Sequence, residues 1–348
     1  MLTVLTVDLA KGLAPVDSIG VMTDARIVYA SQSNLYLATE RWAERPLPAT
    51  PTKPQQQDVT TAIHRFDISD PDRTRYRGSG QVSGYLLNQW SLSENAGILR
   101  VVSTDAPAWF STSDSTTASS LTTLRLNPGE LDQVGRVGNL GKGDRVYAVR
   151  FVGSTAYVVT FKQVDPLYTI DVSDPTRPQV LGELELPGYS AYLHPIGNDL
   201  LLGIGEEVGA NNEPTGTQFS LFDVSDLRHP TRLAHASLGQ SWSAAESDHH
   251  AFLFWPPTGL VVVPFFPRAV GYRVDRAHGL QFVGRITQPA AGNAAITRSV
   301  VVGGSVFTIS DAGVASNSLA ALAPQGWAAF PAPEPQPVPT PVPVPGKP

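Results

Sequence analysis

The sequence predicts an all-β chain, a β-propeller of four-stranded antiparallel blades, about six in number. Three observations carry the prediction: a composition made for turns, short stretches of alternating apolar and polar residues, and a phrase that returns at near-constant spacing. The 348 residues include 30 glycines and 30 prolines but only 2 methionines, and charged residues make up 16%, against roughly 25% in an average soluble domain. Frequent turns without long stretches of helical period favour many short strands. A chain of this length exceeds one ordinary domain, yet repeat-built β-domains reach it as a single body.

The recurring phrase is an alternating strand followed by Asp-x-Ser-Asp-Pro. It reads Phe66-Asp67-Ile68-Ser69-Asp70-Pro71, then Ile170-Asp171-Val172-Ser173-Asp174-Pro175. It returns as Phe222-Asp223-Val224-Ser225-Asp226-Leu227 and decays to Tyr272-Arg273-Val274-Asp275. Alternation buries every second residue. Ser and Asp side chains hydrogen-bond a turning backbone, and proline fixes φ where pairing must stop. Three further stretches align without a gap: 146–153, 190–197 and 250–257. Each precedes a short turn and an apolar run, at 156–160, 200–204 and 260–264. The anchors Asp171, Asp223 and Val274 lie about fifty residues apart, in the range of propeller and kelch-type repeats.

A four-strand template follows, written for the fourth repeat as 178–186, 191–196, 200–205 and 218–224. Applied along the chain, it gives five complete repeats at about 13–70, 71–127, 128–174, 175–226 and 227–276, and a weaker sixth at about 277–322, whose last strand is 314–322. The opening strand, 2–9, matches the fourth strand of a repeat. Two readings of it stand. Either it completes the sixth blade and shuts the ring by exchange between the two ends, or the chain is a piece of a longer ring. The propeller is expected over 1–325. Segments 46–58 and 111–120 are expected to be polar insertions, and 326–348 a proline-rich extended tail.

Residues 64–71, 81–105, 145–175 and 248–255 resemble a family of exported bacterial and archaeal proteins with a β-propeller domain distantly similar to WD-repeat propellers. The Asp-x-Ser-Asp-Pro phrase is the most specific mark of the resemblance, which covers nearly all of 1–325. It implies a propeller fold and an extracellular or cell-envelope location, with attachment through flanking sequence. It implies no activity and no functional residue.

The net charge of −6 and the absence of a dense Lys/Arg run leave no footprint for a phosphate backbone, so no nucleic-acid partner is expected. The chain has no cysteine, which excludes disulfide and thiolate chemistry. Residues 1–8 alternate like a strand and lack the features of a signal peptide. The most apolar stretch, 251–267, is shorter than the ~20 residues of a spanning helix. Pro256-Pro257-Thr258-Gly259 interrupts it, so two strands and a hairpin fit better than a membrane span.

Asp248-His249-His250 is the densest polar cluster. Neighbours in a strand face opposite sides, so only Asp248 and His250 are candidate metal ligands, and zinc needs three or four. No metal and no cofactor is assigned. The position just before the aligned first residue is Arg145, Tyr189 and His249 in three successive repeats. If the aligned segment is the innermost strand, these three ring one mouth of the channel. They suit an anionic or polar ligand or a peptide carboxylate. Arg150 and His194 align with Phe254, which reads as packing between blades. Trp42, Trp90, Trp109, Trp242 and Trp255 read as filling between blades, with Trp109 the one expected at the surface. No Gly-x-Ser-x-Gly elbow, His-Glu-x-x-His or phosphate-cradling loop occurs. Ser190 has the first elbow glycine, Gly188, but not the second. The expected function is therefore a non-catalytic scaffold for a protein, peptide or glycan ligand, with a hydrolase sited at the channel mouth as the alternative.

Overall fold

The computed structural model describes residues 1–42, 59–105, 117–161, 165–209, 213–289 and 294–331. The expected insertion at 46–58, Trp109 and most of 111–120, and the tail beyond 331 lie outside them. A two-stranded hairpin of β1 (Leu2–Val7) and β2 (Pro15–Val21) opens the chain. Four-strand groups follow: β3 (Ile27–Ala30), β4 (Asn34–Trp42), β5 (Val59–Asp70) and β6 (Arg73–Ser83); then β7 (Leu92–Asn95), β8 (Ile98–Thr104), β9 (Ser119–Asn127) and β10 (Gly129–Leu140). The third is β11 (Arg145–Val152), β12 (Thr155–Phe161), β13 (Asp165–Asp171) and β14 (Gln179–Leu186). The fourth is β15 (Tyr189–Ile196), β16 (Leu200–Val208), β17 (Pro214–Asp223) and β18 (Thr231–Gly239). The fifth is β19 (Leu253–Trp255), β20 (Leu260–Phe265), β21 (Arg268–Asp275) and β22 (Gly279–Ile286), and the sixth β23 (Ile296–Val302), β24 (Ser305–Ser310), β25 (Gly313–Ser318) and β26 (Pro324–Ala329). Each group is a meander with strands in sequence order, and the first two meet through a short parallel contact of β6 with β10. Among the described residues no helix is long and apolar enough to cross a membrane.

The strands read as their burial requires. Second strands are apolar runs buried on both faces, as in Leu200–Val208 and Leu260–Phe265, because each has a paired neighbour on either edge and packing above and below. Fourth strands alternate, as in Gln179–Leu186 and Thr231–Gly239, with one face toward solvent. The chain forms two compact units, 1–249 with 274–280, and 250–273 with 281–348. In the first unit the apolar cores lie between successive sheets. Val102 and Leu121 of the second sheet pack with Val146, Val158 and Ile170 of the third, and Val159 and Leu167 of the third with Leu201 and Phe222 of the fourth. Each fully buried side chain of this kind contributes roughly 1.5–3 kcal/mol. In the second unit Leu260, Val262, Ile286, Ile296, Val306 and Leu322 form one core.

The recurring phrase is a double Asx turn between third and fourth strands. Asp171 Oδ1 accepts from Ser173 N at 2.8 Å, and Asp174 Oδ1 from Thr176 N at 2.9 Å. Asp223 and Asp226 repeat this with Ser225 N and Arg228 N. The chain therefore reverses after the phrase, and 179–186 pairs back on β13. This corrects the phase of the four-strand template: 178–186 closes the third sheet rather than opening the fourth. The sixth sheet is also complete, its fourth strand running to Ala329, past the boundary expected at 325. Leu2–Val7 pairs with Pro15–Val21, and the sixth sheet draws all four strands from 296–329. Completion of that blade by the opening strand is thus corrected.

A socket joins the sheets of the first unit. The Thr169 hydroxyl donates to Leu227 O, in the turn of the next sheet, and the Thr123 hydroxyl to Pro175 O. Beside each threonine lies a glycine with no room for a side chain. A Cβ on Gly182 would meet Leu227 O at 2.4 Å, and one on Gly135 would meet Pro175 O at 2.3 Å.

Candidate functional site

The leading ends of the third and fourth sheets bring Arg145 and Tyr189 to the start of β11 and β15, and these first strands pack on each other. Arg145 pairs across the sheet with Phe161, and Tyr189 with Glu206. Both line a cleft of about 720 Å³, within the 300–1,000 Å³ typical of ligand sites. Two loops outside the strands complete its wall: 85–88, leading into the second sheet, and 242–247, leading toward the fifth. His249 lies beside the cleft rather than in it. It lines a smaller cavity of about 60 Å³ with Gln89, Trp90 and Tyr192. The two cavities share Asn88, Ala191, Glu246 and Ser247.

Aromatic rings set the shape of the cleft. The Tyr147 and Tyr189 ring centroids are 4.4 Å apart, and Phe161 lies 4.8 Å from Tyr189. The Arg145 guanidinium rests 4.7 Å above the Tyr147 ring and donates to its hydroxyl at 2.9 Å. Leu87 and Trp242 present apolar surface at the rim, with Trp242 54% exposed. Among the described tryptophans named above, Trp242 is the one most open to solvent.

The acids are tied into the structure. Tyr189 donates to Glu206 Oε2 at 2.8 Å, and burial, with Glu206 alongside, raises the phenol pKa. Glu246 closes a capping box on the one-turn 3₁₀ segment Ala244–Glu246. Its Oε1 accepts from the Thr217 hydroxyl at 2.8 Å and from Ser243 N at 3.2 Å. Burial raises its carboxyl pKa, the hydrogen bonds from Thr217 and Ser243 oppose this, and Glu206 adds to it.

A second cluster lies along the same first strands. Arg150 stacks at 4.2 Å over Trp90, whose ring meets His249 edge-on at 5.1 Å and Tyr192 at 6.3 Å. Tyr192 Oη is 3.2 Å from His194 Nδ1. Burial and then the charge of Arg150 push the imidazole pKa down to about 4. Arg150 and His194 thus pack between sheets, as their alignment with Phe254 suggests.

His249 and His250 fall in the 3₁₀ turn His249–Ala251, and the strand begins only at Leu253. This corrects the reading of 248–250 as strand residues: the capped turn at 243–246 leads into another turn, so the alternation rule does not apply. Asp248 lies in the first unit, whose long segment closes at His249, and His250 opens the second unit.

Sequence reasoning read Trp242 as filling between blades, whereas it is exposed on the cleft rim, and it gave no role to Glu246 or the 85–88 loop. They lie outside the repeat, so no alignment between repeats points to them. One signal was present: Ser243-x-x-Glu246 is a capping-box pattern, which marks a fixed turn rather than a slack loop.

Comparison with known proteins agrees with the sheets. The Beta propeller domain family matches residues 1–322. An uncharacterized protein of Methanocaldococcus jannaschii is 41% identical over 197 residues, 57% of this chain and 30% of its own length. An uncharacterized protein of Archaeoglobus fulgidus is 34% identical over 233 residues, 67% of this chain and 34% of its own. The chain thus spans about a third of the length of the curated relatives it matches. Among solved structures, Saccharomyces cerevisiae Sqt1 superposes with a TM-score of 0.52 at 9% identity, over 88% of this chain and 85% of the other.

Proposed function

The chain belongs to the Beta propeller domain family, and from that premise we propose that it is a non-catalytic binding scaffold whose ligand docks in the cleft of the first unit. The observation that carries this is the meeting of four leading segments at one place. Tyr85 to Asn88, Arg145 to Tyr147, Tyr189 to Ala191 and Trp242 to Ser247 line one cleft. Binding surfaces concentrate where loops are held by a rigid scaffold, and Trp, Tyr and Arg are the residues that dominate binding energy. The acids here serve the structure: Glu206 holds Tyr189, and Glu246, on the cleft wall, caps a turn. A protein, peptide or glycan ligand fits this reading. An extracellular or envelope location is part of the proposal and rests on the resemblance of the repeat phrase to an exported family.

The test is binding to arrays of peptides and glycans by the full chain and by Trp242→Ala, an exposed change that leaves the cores intact. A cleft ligand loses at least about tenfold in affinity on removal of an anchoring tryptophan. Ligands that ignore the substitution would place the binding surface elsewhere. A hydrolase is the second reading, favoured by the raised carboxyl pKa of Glu246 beside Glu206, a pattern that acid catalysis uses. Turnover of ester, peptide or glycoside substrates that disappears in Glu246→Gln or His249→Ala would overturn the scaffold.

A further inference from the structure

The groups on the cleft wall divide into those already engaged and those left to a ligand, and the division narrows the ligand class; this step rests on the cleft being the binding site. The Tyr189 hydroxyl is committed to Glu206. Glu246 Oε1 takes two donors, and the Ser243 hydroxyl accepts from Ala245 N at 3.2 Å. These groups are therefore spent on holding the wall itself. The wall also offers apolar surface at Leu87, Tyr147 and Trp242, together with the guanidinium of Arg145.

That guanidinium is the distinctive feature. A guanidinium carries five N–H donors, and the hydrogen bond given above for Arg145 uses one of them, to Tyr147. Among the described residues Arg145 has no carboxylate partner, although Glu246 lines the same cleft. The Tyr147 ring beneath the guanidinium and the bond to its hydroxyl hold the fork in place, which prepares it for a carboxylate. An oligosaccharide would bring many hydroxyls to a wall where Tyr189, Glu246 Oε1 and Ser243 are already engaged, and each polar group buried without a partner is penalised. A peptide brings one carboxylate and one apolar side chain at a time, which is what the wall offers to receive.

We propose that the cleft binds a peptide carboxylate adjacent to an aromatic or aliphatic side chain, with Arg145 on the carboxylate and Trp242, Leu87 and Tyr147 around the apolar group. The carboxylate can be a chain terminus or an acidic side chain.

Fluorescence anisotropy with the full chain tests this with four probes. They are a labelled hexapeptide ending in phenylalanine as the free acid, the same peptide as its amide, an amidated peptide with glutamate before the phenylalanine, and a labelled uronic-acid trisaccharide. The free acid or the glutamate peptide binds at least about tenfold more tightly than the plain amide. Arg145→Gln removes about tenfold to a hundredfold of that affinity and brings the acid down to the level of the amide. Arg145→Lys keeps the charge without the fork and falls between, and an unchanged thermal midpoint in both variants shows that the cleft is still folded. Free acid against glutamate peptide tells a terminal from a side-chain carboxylate. Equal binding of acid and amide overturns the proposal, as does the absence of peptide binding at about millimolar concentration. Trisaccharide binding that needs Trp242 also overturns it, while leaving the scaffold reading in place.

Discussion

His194 gives the first unit a pH dependence that can be worked out in advance. Its imidazole is largely buried between β11 and β15, beside Tyr192 and within the field of Arg150. Both burial and the neighbouring cation disfavour the protonated ring, and the pKa falls from 6.5 to about 4. The folded value lies below the unfolded one. Above about pH 6.5 neither state carries the proton, and the stability is whole. Between about 6.5 and 4 the unfolded chain takes the proton and the folded chain does not, so stability falls as pH falls, and it levels below about 4. At 1.36 kcal/mol per pKa unit the loss across this window is of order 3 kcal/mol. His194→Phe, which places the residue of the aligned Phe254 there, removes this dependence even if its own packing shifts the absolute stability. Two measurements check it: an NMR titration of the histidine C–H resonances, with His194 assigned by its loss in the variant, and urea unfolding at pH 7 and pH 4.5. The wild type loses more stability than the variant between those pH values. A His194 midpoint at or above 6, or equal pH slopes in the two proteins, would refute the reasoning.

The other predictions concern the sockets and turns. Gly182→Ala drives a Cβ to 2.4 Å from Leu227 O, so the fourth sheet's turn must move off the third; a loss of about 1–3 kcal/mol is expected, read as a lower thermal midpoint. Thr169→Val keeps the shape but removes the donor to Leu227 O, and a cost of about 1 kcal/mol follows; a change within error would show that the socket is held by shape alone. The phrase aspartates act in a lower pH range than His194. Asp67 is held below the ordinary carboxylate range by Ser69 and Arg77, and Asp223 by Arg276 and Ser225. Thr176 and Arg177 bring Asp174 to about 2. Their folded pKa values are depressed, so their contribution is present above about pH 4 and is lost as pH falls through the folded values. Asp223→Asn therefore lowers stability at pH 7 and flattens the acid loss below pH 4, as seen in thermal midpoints between pH 5 and 2.

The fold was legible because a repeat advertises its period, but the period does not fix the phase. The phrase marks the turn between third and fourth strands in the first, third and fourth sheets, and would equally mark the end of a repeat if the cut were made there. Only the pairing of 179–186 with β13 decides, and that pairing is set by the double Asx turn, which sends the chain back along the strand it has just left. The information was present in a weaker form. Gly182 follows Asp171 by eleven residues, as Gly78 follows Asp67, and in both strands a Cβ would strike backbone of the next sheet's turn. A glycine there belongs to the blade before the turn that it receives. Proline and aspartate mark the turn itself; the glycine marks the blade edge against which the following turn is seated.

The site divides along the same line. Arg145 and Tyr189 occupy equivalent positions at the heads of β11 and β15, so alignment of the repeats reaches them, and packing of one first strand on the next brings them to one cleft. His249 was aligned to the same position, yet the chain there is in a 3₁₀ turn and the ring joins Trp90 instead. The repeat is interrupted at that point by the capped turn of Ser243 and Glu246, and the interruption is what adds Trp242 to the wall. Symmetric positions can supply only a ring of similar neighbours. Discrimination between ligands requires residues that break the symmetry, and in this cleft they come from 85–88 and 242–247, the segments that a search for repeats passes over. The asymmetry also sets Leu87 and Trp242 on the wall that Arg145 lines, with no carboxylate partner for Arg145 among the described residues, and that combination makes a peptide carboxylate the ligand we propose to try first.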